Sequence, residues 1–207
     1  MSTATDHSDA YFGAVADLAG QVPGDQIEAM ARDLVEIREA GGRLFLLGVG
    51  GGAGHASHAV NDFRKLAGIE SYAPSDNVSE LTARTNDDGW DTAYSAWLET
   101  SRLNDRDALF VFSVGGGSRE HNTSVNLVNA MELGKQRGAK LFGVCGAPGG
   151  SLVELGDVVI RIDAPAALKT PLVESYQAVV WHALVCHPEL AVSAGHWEKL
   201  EAADPAR

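Results

Sequence analysis

The chain has 207 residues, an ordinary apolar content and a formal net charge of −12. That length suits one domain with a sizeable core. The charge excludes partners held by long-range attraction to a basic surface, nucleic acid and anionic membranes among them, and it leaves phosphorylated small molecules open, because local N–H groups bind phosphate even on an acidic protein.

The opening Met-Ser-Thr-Ala-Thr-Asp-His-Ser-Asp carries neither a basic region nor an apolar core of a signal peptide, and no apolar run approaches the roughly 20 residues needed to span a bilayer. A cytoplasmic protein without a membrane partner is the expectation. Cys145 and Cys186 show no metal-finger or redox spacing; both sit in apolar runs and read as buried free thiols.

In chain order, the first 40 residues carry two amphipathic helices. Tyr11, Phe12, Val15 and Leu18 recur at helical spacing, and so do Ile27, Met30, Ala31, Leu34 and Ile37. Packing on the domain's own sheet and use as a subunit interface both account for them. Arg43 to Leu47 reads as a buried strand that enters a glycine cluster, Gly48, Gly50, Gly51, Gly52 and Gly54, and then a helix over about 53–66. Ile69 to Tyr72 is a short strand. Ala108 to Ser113 is a buried strand that meets a second cluster, Gly115-Gly116-Gly117-Ser118, followed by a helix over about 119–136. Lys140 to Cys145 and Asp157 to Ile162 are further strands, separated by the turn Gly146-Ala-Pro-Gly-Gly150. A long helix opens at Pro171, with Thr170 as its N-cap, and Pro188 ends it near His187. No linker or repeat divides the chain. We read residues 1–40 as a helical segment, 41–190 as an α/β core and 191–207 as a tail of one domain.

Apolar strands alternating with helices predict a parallel sheet covered on both faces, a three-layer α/β sandwich. Ligands of such folds bind at the carboxyl ends of strands, where both glycine clusters fall. Each cluster reads either as a tight turn or as an anion cradle at a helix N-terminus. The first is no convincing dinucleotide fingerprint, because the strand from Ile69 ends without an acidic residue for a ribose. In the second, Ser113 and Ser118 flank the glycines and suit a phosphate.

His58 and Asp62 are four apart on one helix face, where they could share a metal or a proton or merely form a polar surface; His55 is a competing candidate. Glu174 and His182 lie on the last long helix. His182 sits among apolar residues, which also fits a core histidine. Eight residues of regular helix separate the two backbones by about 12 Å, so one metal would take both only if the helix bends. Otherwise they serve different copies of a site. Asn86 and Asp87, beside Gly89, read first as a turn or helix cap.

Together these segments resemble the sugar isomerase (SIS) domain family, and within it the phosphoheptose (sedoheptulose 7-phosphate) isomerases, over nearly the whole chain. The family's first loop, Gly-Asn-Gly-Gly-Ser, matches Gly48-Val-Gly-Gly-Gly52, and its metal-binding His with a Glu four residues later matches His58 and Asp62. Its Asn-Asp substrate contact matches Asn86-Asp87. Its phosphate loop, Ser-Thr-Ser-Gly-Asn-Ser, matches Ser113-Val-Gly-Gly-Gly-Ser118. Its late Gln and His match Glu174 and His182.

The resemblance implies a flavodoxin-like three-layer fold, N-terminal helices used in oligomerisation, and a homotetramer with active sites between subunits. It implies zinc held by His58, Asp62, Glu174 and His182, with Asp62 and His182 moving the proton. A phosphosugar would be bound by Val49, Gly50, Gly51, Gly52, Asp62, Asn86, Asp87, Ser113, Val114, Gly115, Ser118 and Glu174. The reaction implied is aldose–ketose isomerisation of sedoheptulose 7-phosphate to D-glycero-D-manno-heptopyranose 7-phosphate. A non-catalytic, tetrameric sugar-phosphate-binding protein and an isomerase or epimerase of another phosphosugar are the alternatives. The chain departs from the family at Val49, which lacks an amide, at Val114 and Gly115, which lack hydroxyls, at Asp62, one methylene shorter than Glu, and at Glu174, which adds an anionic ligand.

Overall fold

The structure is a computed structural model that describes residues 4–203. The first three residues of the opening segment and the last four of the tail lie outside the described residues. Five parallel strands form one sheet: β1 (Leu44–Gly48), β2 (Ser71–Tyr72), β3 (Ala108–Ser113), β4 (Lys140–Gly146) and β5 (Val158–Ile162), in the order β2-β1-β3-β4-β5. That is the flavodoxin-like order, and it reverses between β1 and β3. Leu44 pairs with Ala108 and Gly48 with Phe112, so the two central strands end side by side.

The strands are apolar throughout because both faces are covered. Leu44, Leu46, Phe110, Phe112, Phe142 and Val144 point into one layer, and Phe45, Leu47, Leu109, Val111 and Leu141 into the other. Burial of each such side chain contributes about 1.5–3 kcal/mol. The first layer is built by α2 (Gly24–Glu39), α3 (Gly51–Lys65) and α8 (Lys169–Val185). The second is built by α5 (Ala93–Thr100), α6 (Val125–Arg137) and α7 (Gly150–Leu155). At the amino ends of β1 and β3, Asp107, only 2% exposed, accepts from the Arg43 backbone N–H at 3.0 Å and from its guanidinium at 2.7 and 3.1 Å.

Both N-terminal helices form, α1 (Ala4–Ala19) before α2. Packing on the domain's own core accounts for α2, whose Met30, Ala31, Leu34 and Ile37 are buried. From α1, Leu18 is buried and Val15 accepts a hydrogen bond from the Tyr176 hydroxyl, while Phe12 is exposed. No helix among the described residues is long and apolar enough to cross a membrane.

Several expected boundaries are corrected. The second glycine cluster does not run into a helix at Arg119. Ser118 and Thr123 exchange backbone hydrogen bonds at 2.9 Å, and Asn122 and Ser124 adopt positive φ, so the chain turns back on itself and α6 starts only at Val125. The late helix begins at Lys169, after a 3-10 turn over Ala166–Leu168, so Thr170 lies inside it and is not its cap. Pro171 is tolerated there because first-turn N–H groups have no partner within the helix. Cys145 is buried as expected, but Cys186, just past the last turn of α8, is exposed. Three helices were not anticipated between the strands: α4 (Val78–Asp87), α5 and α7. A fourth, α9 (His196–Ala203), lies in the tail.

Candidate active site

The first glycine loop leaves β1 at Gly48 and enters α3 through Gly50, at φ 59°. The α3 N-terminus comes so close to the end of β3 that a Cβ on Gly52 would lie 2.6 Å from the Phe112 carbonyl oxygen, so only glycine fits there. The Tyr94 hydroxyl donates to the Gly48 carbonyl at 2.7 Å and fixes the strand end, and burial pushes that phenol up to about 12. Val49 and Gly50 are exposed.

The N-terminus of α3 is met by the chain's own anion. Glu174, reaching over from α8, places its carboxylate where a Cβ on Gly51 would fall 2.6 Å from Oε1. A carboxylate there is favoured by the helix dipole. His55, in the next turn, is half-buried; burial lowers its pKa below 6.5, opposed by the nearby Glu174 carboxylate.

Further along α3, three predicted residues converge. Asp62 Oδ2 is 3.7 Å from His58 Nε2 and 3.8 Å from His182 Nε2, the last delivered by α8. The donor atoms of the three all lie within 4.8 Å of one another. His182 Nδ1 lies 2.8 Å from the Ala178 carbonyl oxygen, which can only accept, so Nδ1 carries the proton and Nε2 presents its lone pair to the cluster. Asn61 donates to the other carboxylate oxygen of Asp62 at 2.7 Å. The Trp181 indole packs 4.7 Å from the His58 ring and 3.4 Å from the His182 ring. Two imidazoles and a carboxylate with solvent access are a donor set that fits zinc with a position left open. His182 is therefore no core histidine, since about half of its side chain is exposed.

Glu174 does not join this group within one chain: α8 is continuous from Lys169 to Val185 and does not bend the two residues together. Asn86 and Asp87 end α4; both are exposed, and the Asn86 amide donates to Asp87.

The second glycine loop follows β3. Ser113 Oγ accepts from the Gly116 N–H at 3.0 Å and Ser118 Oγ from the His121 N–H at 3.2 Å. Gly116, at φ 77°, packs against the Gly149 carbonyl too closely for any Cβ. The hydroxyl that stands at the head of α6 belongs to Ser124, whose side chain makes no cap bond, and Asn126 in the first turn is fully buried with no partner for its amide among the described residues. Sequence reading missed both; Ser124-Val-Asn126 before the apolar run from Leu127 was the available signal.

The two glycine loops flank the point where strand order reverses, the usual ligand crevice of such sheets, and the His–Asp–His group lies on the helix pair beside it. A cleft of about 620 Å³ is lined by His182 together with Leu66, Cys186, Val192 and Glu198. Fold and candidate site together define a doubly wound α/β domain with its ligand crevice at the carboxyl ends of the central strands.

Comparison with known proteins agrees. No family model matches the chain. It is 31% identical over 181 residues to a phosphoheptose isomerase of Akkermansia muciniphila, covering 84% of this chain and 87% of that protein. It is 38% identical over 180 residues to the lincomycin biosynthesis protein LmbN of Streptomyces lincolnensis, covering 82% of this chain but only 62% of that longer protein. Its fold matches the structure of phosphoheptose isomerase GmhA from Neisseria gonorrhoeae with a TM-score of 0.77 at 21% identity, over 88% of this chain and 97% of that one. The chain belongs to the phosphoheptose isomerase family, enzymes of the aldose–ketose isomerase class.

Proposed function

We propose that the protein isomerises sedoheptulose 7-phosphate to D-glycero-D-manno-heptopyranose 7-phosphate, moving a proton between C1 and C2 through an enediol. The observation that carries this reading is the convergence of His58, Asp62 and His182 from α3 and α8. Asp62 and His182 form the proton-transfer pair: one removes the proton from carbon, and the other carries a proton between the two oxygens. His182 is ready for this because Ala178 fixes its tautomer. The tight fit of Trp181 holds both imidazoles in place. Zinc, when bound, would be held by His58, Asp62 and His182 and would polarise the sugar's carbonyl and hydroxyl oxygens as a Lewis acid; His182 moves a proton only while its Nε2 is off the metal, since Nδ1 is engaged by Ala178.

The phosphate is taken by the second loop and the head of α6, through Ser113, Ser118, Ser124 and backbone N–H groups, while Val49 to Gly52 and Asn86-Asp87 face the sugar. Along α3, eleven residues of helix put Asp62 about 16 Å from the glycine-loop end. That separation favours a site assembled from two chains, with the partner subunit's Glu174 as the fourth zinc ligand, in a homotetramer. The likeness to LmbN supports a phosphosugar bound for an antibiotic.

Zinc-loaded protein given pentose, hexose and heptulose phosphates tests this. Conversion of sedoheptulose 7-phosphate, seen by NMR and abolished in Asp62→Ala and His182→Ala, is expected. Tight binding of a phosphosugar without turnover would identify a sensor instead, and turnover of another phosphosugar alone would reassign the substrate.

A further inference from the structure

The α3–α8 seam carries a buried polar stripe that the reaction does not use directly. The two helices run side by side in the same direction, since Glu174 meets Gly51 and Trp181 meets His58. Gln177 lies between Glu174 and Trp181, three residues from one and four from the other, on the same face of α8. It is fully buried, and among the described residues neither its Nε2 nor its Oε1 has a hydrogen-bond partner. The Nε1 of Trp181, equally buried, also has none. On the inner side of α3, the buried residues Ala56 and Ala59 are small.

A buried amide is expensive to leave unpaired, and internal water is its ordinary partner where no side chain serves. We propose that Gln177 is a positioning residue for the zinc-binding group: its amide and the Trp181 indole N–H hold internal water within the α3–α8 seam, and so lock the indole against which His58 and His182 are set. The inference rests on the reading of His58, Asp62 and His182 as the zinc-binding group. The indole touches both imidazoles, so any tilt of Trp181 moves two of the three donors relative to Asp62. An apolar residue at 177 would fill the seam just as well, so packing alone does not call for an amide.

The test uses the full chain and its Gln177→Leu, Gln177→Met and Trp181→Phe variants. Zinc affinity is read by competition with a chromogenic chelator, without substrate, alongside thermal midpoint and the kcat and KM for sedoheptulose 7-phosphate. Each variant should weaken zinc binding by about tenfold, the usual effect of losing an outer partner of a ligand. It should also lower kcat more than it changes KM. The thermal midpoint of the Gln177 variants should stay close to the parent's, because an apolar side chain of similar size refills the space of the amide and its water. Should the Leu variant fail to fold, the Met variant, which keeps the side-chain length, carries the comparison. Folded variants that bind zinc as the parent does overturn the proposal, and so does a parent protein with no zinc affinity. A parent that binds zinc but isomerises no phosphosugar sinks the isomerase reading and leaves the zinc comparison in force.

Discussion

His182 Nε2 stands 3.8 Å from Asp62 Oδ2 across the seam between α8 and α3, while its Nδ1 is tied to the Ala178 carbonyl at 2.8 Å. The imidazole is held in one tautomer by its own helix and aimed at a carboxylate on another. His58, a turn before Asp62, brings a second imidazole to the same oxygen at 3.7 Å.

Replacement of Asp62 by Asn keeps the shape of the side chain and removes its charge and basicity. Loss of a proton-transferring group lowers kcat by about 10²–10⁴-fold. Asp62 makes no hydrogen bond that holds the core, so Asp62→Asn should unfold at the same temperature as the parent. NMR assay of isomerisation together with a melting curve checks both; full turnover in this variant would remove Asp62 from the reaction.

The two cysteines should differ in reactivity. Burial pushes the Cys145 thiol up to about 11, whereas Cys186 is exposed. An aromatic disulfide reagent should therefore titrate one thiol of the native protein, identified as Cys186 by mass spectrometry, and the second only in denaturant. Rapid labelling of Cys145 in the folded protein would contradict the packing of β4.

Asp107 anchors the amino ends of the two central strands and also accepts from the Asn104 backbone and side chain at 3.1 and 2.9 Å. Its loss strands the partly buried Arg43 guanidinium and two backbone donors, the N–H groups of Arg43 and Asn104. Asp107→Ala should lower stability by about 3–5 kcal/mol in urea titrations. A loss in the range of an ordinary surface substitution would show that the pair contributes little.

His55 gives the stability a pH dependence of known sign. Burial depresses its folded-state pKa below 6.5. The unfolded chain therefore takes up this proton first, and the stability it would otherwise keep is complete above about pH 6.5 and lost as the pH falls below it. Acidification from about pH 7.5 to about pH 5 should destabilise the parent more than His55→Asn. Equal acid losses in the two proteins would place His55 in solvent.

The sheet was legible because its central strands are continuous apolar runs with no polar face to hide them, and the three-layer fold followed from their alternation with helices. Helices α4 and α5 were not. Nothing in α4 is buried and it carries no apolar stripe, while α5 has only eight residues. The start of α6 was misread for a different reason. Ser118 and Thr123 pair with each other, a contact closed by two positive-φ residues that no periodicity announces.

The sequence by itself determined the glycine loops at the ends of β1 and β3 and the placing of His58 and Asp62 on one helix face, with His55 as a rival, because strand ends and helical spacing are local properties of the chain. Only the tertiary structure decided which of the late-helix residues meets that pair. From the sequence, Glu174 and His182 were equal candidates about 12 Å apart. The parallel packing of α8 on α3 sets Glu174 against Gly51 and His182 against Asp62, because both residues ride on one straight helix and a straight helix cannot bring them to a single point.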